Sequence, residues 1–263
     1  MIPVEIKNFC SRATILFLIL SLFLLCIGCQ TKRQVNARLN GEMPPKILWA
    51  WERAEDLRFL DSSKFGVAFL AQTLLLRNDD VIFRPRRQPL EVAPDAYLIA
   101  VTRIETIKEK NTRPALSDEQ KAKAISLIKR TLELSNVKAV QIDFDAAVSE
   151  RKFYKNLVVD LQKQLPENVP LTMTSLASWC IGDAWFNDFP VDEAVPMAFE
   201  MGADDAAIRG FLSKENDWHE PLCRGSYGIS IDAPLNVKFK ANRRFYYFKS
   251  KAWAKSDLEK LDQ

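Results

Sequence analysis

The chain is short of histidine. His219 is the single one in 263 residues, and it sits in a polar stretch with no Cys or His cluster around it. A metal centre of the usual ligand spacing is therefore not expected, nor is histidine acid–base chemistry. Charge of one sign is also scarce. Thirty-seven basic residues stand against 34 acidic ones, giving a formal charge of +3, and the two signs are interspersed. That balance argues against a nucleic-acid partner. Glycine is sparse at eight residues, and no Gly-x-Gly-x-x-Gly follows the first predicted strand, so a dinucleotide fingerprint and its cofactor are not expected. No cofactor is expected at all. The one long apolar run, Ala13 to Leu25, is shorter than the about 20 residues a transmembrane helix needs.

What is present begins with that run. Lys7 and Arg12 precede it as a positive n-region, and Cys26-Ile27-Gly28-Cys29 follows it. The arrangement is that of a signal peptide. A small residue before a cysteine at this place resembles a bacterial lipobox, with Cys26 where Leu is usual. The resemblance implies lipidation at Cys29, with Gln30 directing the protein to the outer membrane, facing the periplasm. An ordinary signal peptide cleaved nearby is the other reading. Residues 1–28 are then the signal, 29–45 a polar tether, and 46–263 the folded domain. After processing, two cysteines remain, Cys180 and Cys223. They form a disulfide in an oxidising compartment or stay as two buried thiols.

The domain reads as strands and helices in alternation. Strand patterns start at Lys46, Phe65, Tyr97, Val137, Leu171, Glu193, Gly225 and Arg244. Helices are expected over Ala54–Leu60, after Ser117-Asp-Glu-Gln120 (a capping-box form), from Ser149 to Pro166, over Asp183–Phe189 and over Ala203–Lys214. A small hairpin over 72–84 is inserted after the second strand. About eight such units predict an α/β fold, a single-domain (β/α)8 TIM-like barrel, with an open doubly wound sheet as runner-up.

The fourth strand, Val137 to Ala146, carries the chemistry. Val140, Ile142 and Phe144 alternate with Gln141, Asp143 and Asp145. Alternate side chains on a strand face opposite ways, roughly 6.6 Å apart along one face. Two carboxylates that crowd each other raise one proton affinity, which is how a carboxyl becomes a general acid. Aspartates capping the next helix are the bland alternative. Barrel active sites lie at the C-terminal strand ends. There the sequence gathers Glu52, Glu105, Asp143, Asp145, Glu200, Trp179 and Trp253. Carboxylates bind hydroxyls and indoles stack on sugar faces, so a carbohydrate ligand is expected.

Ala139-Val-Gln-Ile-Asp-Phe-Asp145 resembles the Gly-Ile-Asp-Ile-Asp-Trp-Glu segment of chitinase-like, family eighteen, glycoside hydrolases. The resemblance implies Asp145 as catalytic acid, Asp143 as its partner and Gln141 in the place of the first Asp. Met197-Ala-Phe-Glu200 is similar to that family's Met-x-Tyr-Asp, and Trp253 to its sugar-floor tryptophan. Asp145 replaces Glu and Phe199 replaces Tyr. The segments Trp49–Arg53, Gln141–Ala146, Leu176–Cys180 and Pro196–Gly202 also resemble a bacterial family of exported proteins defined by a domain of unknown function. The expected activity is hydrolysis of a cell-envelope or imported glycan. The alternative is a lipid-anchored glycan-binding or envelope-assembly protein on the same fold.

Overall fold

A computed structural model describes Leu39, residues 43–183 and residues 185–261. The expected signal segment, Cys29 and nearly all of the tether lie outside the described residues. Among the described residues, no helix is long and apolar enough to cross a membrane.

β1 (Lys46–Ala50) enters the barrel, and β2 (Glu55–Asp56) follows outside it. The long β3 (Phe65–Arg77) turns at Asn78 into β4 (Asp80–Pro85), which runs back antiparallel along the second half of β3. β5 (Leu90–Glu91) pairs with β2. The wall continues with β6 (Tyr97–Thr106), β7 (Val137–Asp143), β8 (Leu171–Leu176), β9 (Glu193–Met197), β10 (Ser226–Ser230) and β11 (Arg244–Phe248). Strands β1, β3 and β6 to β11 pair in parallel with their neighbours and close on themselves. Lys46 is in register with Phe65 on one side and with Phe245 on the other. The result is a closed eight-stranded parallel barrel.

Four α-helices follow strands of the barrel, fewer than a full (β/α)8 pattern supplies. α1 (Asp118–Arg130), α2 (Arg151–Gln164), α3 (Ala177–Ile181) and α4 (Asp205–Ser213) follow β6, β7, β8 and β9. They cover one half of the barrel. Ser117 caps α1 by accepting from the Gln120 backbone N–H at 3.2 Å. Asp118 and Glu119 in its first turn and Lys129 and Arg130 in its last suit the helix dipole. Val140, Ile142 and Phe144 of the β7 segment face this half and pack with Ile128, Tyr154 and Leu157. Among the described residues no α-helix covers the other half. Leu48, Phe69, Leu98 and Tyr247 are covered instead by Leu57, Trp253 and Leu261 from loops and terminal turns.

Several elements differ from the sequence reading. Residues 54–60 form β2 and turns in place of a helix, because Glu55 and Asp56 pair with Leu90 and Glu91. The predicted strand at Leu171 stops at Leu176, and Ala177 to Ile181 turns into α3. The described part of 183–189 is turns. Phe65 to Arg77 is one 13-residue strand rather than a strand followed by a separate hairpin arm.

The barrel interior is polar at its N-terminal end. The Glu193 carboxylate, buried at 1% exposure, accepts from Arg244 Nη1 at 2.9 Å and from Tyr246 Oη at 2.9 Å. A Cβ at residue 225 would stand 2.8 Å from Glu193 Oε1 and push the carboxylate from its place beside Arg244 and Tyr246. Cys180 of α3 is disulfide-bonded to Cys223. The bond is consistent with an oxidising, extracytoplasmic compartment.

Candidate functional site at the barrel mouth

Because β6 and β7 are parallel with Arg103 opposite Asp143, the C-terminal mouth receives a guanidinium and a carboxylate side by side. Asp143 points into the barrel and is buried at 5% exposure. Its Oδ1 accepts from Thr174 Oγ1 at 2.8 Å, and its Oδ2 lies 3.4 Å from Arg103 Nη1. Arg103 also donates through Nε to Glu105 at 3.1 Å. Burial pushes the Asp143 carboxyl up to about 6, against the pull of Arg103 and Thr174 and with the push of Asp145.

Asp145 lies one step above, just past the end of β7. Its side chain reaches solvent, and among the described residues it has no hydrogen bond or ion pair. The surrounding wall partly desolvates it and raises its proton affinity, opposed by Arg103. Tyr154 of α2 is fully buried, packing on Phe144 at 5.1 Å. Burial and the negative charges of Asp143 and Asp145 hold its phenol proton on, and its hydroxyl has no partner among the described residues.

Arg103, Asp143 and Asp145 open into a cavity of about 220 Å³. Trp49 and Trp51 at the end of β1 form one wall, with ring centroids 5.4 Å apart. Phe199 stands on the β9 side, 4.5 Å from Phe248, and Phe248 stacks on Trp49 at 4.7 Å. Glu200 and Asp204 complete the acidic rim. Glu200 is held at φ 49°, a left-handed conformation that a non-glycine residue adopts at a cost of order 1 kcal/mol. A second cleft of about 330 Å³ adjoins on the β6 side and shares Arg103, Asp143 and Asp145.

Of the residues expected from sequence, the structure gathers Asp143, Asp145 and Glu200 around the mouth cavity, and Glu105 in the adjoining cleft. The others lie elsewhere. Gln141 is buried below the site and donates to Thr172 Oγ1 at 3.0 Å. Glu52 is exposed on the rim, where its carboxylate accepts from the Arg87 backbone N–H at 2.8 Å. Trp179 is packed in an aromatic cluster with Trp185 and Phe186. Trp253 is buried at the helix-free side, with its indole N–H on the Trp49 carbonyl at 2.9 Å and its backbone N–H on Glu55 at 2.9 Å.

Arg103, Trp49, Trp51, Phe199 and Asp204 were not singled out as site residues. For the tryptophans a signal was there: Ile47, Trp49 and Trp51 share one strand face, and that face is the inner one. Arg103 becomes visible only through the β6–β7 register. Among the described residues no group of three His, Cys, Asp or Glu side chains is placed to hold a metal ion. No family model, curated protein or solved structure matches the chain.

Proposed function

We propose that the barrel mouth acts on a glycan of the cell envelope, or one taken into it, as a glycoside hydrolase. The observation that carries this reading is Asp145: an acid with raised proton affinity and no partner among the described residues, opening onto an aromatic-walled cavity at the C-terminal mouth. In this reading Asp145 gives its proton to the glycosidic oxygen as the bond to the anomeric carbon breaks, and a water adds to that carbon and returns a proton to the Asp145 carboxylate. Asp143, buried beneath it, is a positioning residue whose negative charge steadies positive charge developing above. Trp51 and Phe199, both half-buried on the cavity wall, supply the faces on which a sugar ring stacks. The protein is carried to the envelope by the N-terminal segment and held there by lipid at Cys29, in keeping with the disulfide.

A second reading, glycan binding without cleavage, is favoured by Arg103. It spans Asp143 and Glu105 and lowers the proton affinity of both aspartates. One experiment separates the two. The full chain, purified in detergent, is screened for reducing ends released from envelope glycans, beside Asp145→Asn. Hydrolysis predicts a loss of about 100-fold or more in the variant with binding retained. Cleavage that survives the substitution overturns the assignment of Asp145. Binding without cleavage in the wild type establishes the second reading.

A further inference from the structure

The lining of the mouth cavity is unbalanced in charge. Asp143, Asp145, Glu200 and Asp204 bring four carboxyl groups to a cavity whose one cation among the described residues is Arg103. Arg103 is itself committed, donating to Glu105 and lying against Asp143. Glu105, just behind it, adds a further negative charge. Such a mouth, with low-dielectric aromatic walls, attracts cations and repels anions. Indole faces strengthen the preference, because a cation over a tryptophan ring is held by the ring quadrupole.

A second observation is independent of that charge. Trp49 is fully buried on the cavity wall, and its indole N–H has no acceptor among the described residues. A buried donor without a partner is costly, so an occupant offering an oxygen there gains a hydrogen bond the empty protein cannot make. The occupant thus needs hydroxyl or ring oxygens, a face to stack and a positive charge. A bare metal ion meets none of the apolar requirements. A uronic acid carries the wrong sign. An N-acylated sugar is neutral and gains nothing from the surplus carboxylates.

We propose that the mouth selects an amino sugar with a free, protonated amine, within a glycan that has lost its N-acyl groups. The proposal rests on the glycan reading of the mouth. The ammonium sits between Glu200 and Asp204, leaving the Asp145 proton for the glycosidic oxygen, and the sugar ring lies against Trp51 and Phe199. One ring oxygen or hydroxyl faces the Trp49 N–H. Among the described residues, Glu200 and Asp204 have no cation of their own, so they are free to meet the ammonium.

The test is calorimetric titration of the full chain in detergent with three probes: a glucosamine tetramer, the same tetramer fully N-acetylated, and an oligouronate. At neutral pH and low salt the free-amine tetramer should bind about tenfold tighter than the acetylated one, and the oligouronate weakest. The advantage should vanish at alkaline pH, where the amine is uncharged, and shrink in high salt. The double variant Glu200→Gln with Asp204→Asn should remove the preference while the acetylated tetramer still binds, with near-ultraviolet circular dichroism confirming the fold. Substituting remote surface acids, Asp118→Asn with Asp188→Asn, should leave the preference intact. Equal or tighter binding of the acetylated tetramer overturns the proposal and leaves the glycan reading standing. A preference that persists in the mouth double variant overturns it too, as it would mark general polycation attraction. Failure of all three probes to bind overturns both.

Discussion

Asp143→Asn should make the protein more stable, and only above a defined pH. Burial raises the Asp143 carboxyl from its ordinary 3.8 to about 6. That difference corresponds to about 3 kcal/mol at about 1.4 kcal/mol per tenfold change in proton affinity. Below 3.8 the folded and unfolded chains both hold the proton, and nothing is lost. Between 3.8 and about 6 the unfolded chain releases it first, so stability falls as pH rises. Above about 6 the full cost of a buried carboxylate stands. Asparagine removes that cost, and its carbonyl can still accept from Thr174 Oγ1. The shift to about 6 already includes the pull of Arg103, 3.4 Å away, so losing the contact subtracts nothing further. The variant should therefore gain up to about 3 kcal/mol at mildly alkaline pH and nothing in acid. Urea unfolding of both proteins across the window measures it, because the difference between them cancels the carboxylates elsewhere. A variant no more stable than wild type in alkali would refute the reasoning, as would a gain independent of pH. A stabilising substitution at the floor of a candidate site is also the signature of a residue kept for its chemistry rather than for folding.

Two further outcomes concern the scaffold. The Cys180–Cys223 bond spans 43 residues, so reduction, or the double Cys→Ala variant, should cost about 3–4 kcal/mol on the chain-entropy account; a urea-measured loss under about 1 kcal/mol would overturn that account here. Glu193→Gln should destabilise by about 3 kcal/mol by leaving Arg244 buried beside a neutral group, and adding Arg244→Met should recover part of it; thermal or urea unfolding of the single and double variants reads the coupling.

Much of this was legible in the chain. The eight wall strands sit where apolar runs and alternation placed them, since each strand shows one face to a core. The pairing of Asp143 with Asp145 followed from period two alone. What was hidden depended on partners far away in sequence. Trp179 reads like a strand-end aromatic, but the chain enters α3 at Ala177, which rotates the indole into the cluster of Trp185 and Phe186. Trp253 lies beyond the end of β11, where its position is set by Glu55 and the Trp49 carbonyl, 198 and 204 residues earlier. Residues 54–60 contain helix formers, yet the two-residue pairing with β5 and the bond from Arg53 to Glu55 hold Glu55 and Asp56 extended, and turns follow. The missing helices left no trace in the strand pattern, because loops and terminal turns cover the same apolar face.

The closure of the wall has a consequence for how the chain reaches its native state. β1 is flanked by β3 on one side and by β11 on the other, so its second neighbour is the last strand to be made. Until Arg244 to Phe248 is available, both ends of the nascent sheet are open, and the barrel interior stays wet. The Glu193 carboxylate meets Arg244 and Tyr246 only at that final step. Closure of the wall thus waits on one pairing of very long sequence separation, a kind of contact that forms slowly. A fragment ending before residue 244 should behave as an open, adhesive sheet rather than as a smaller protein. The molecule is made whole at its seam.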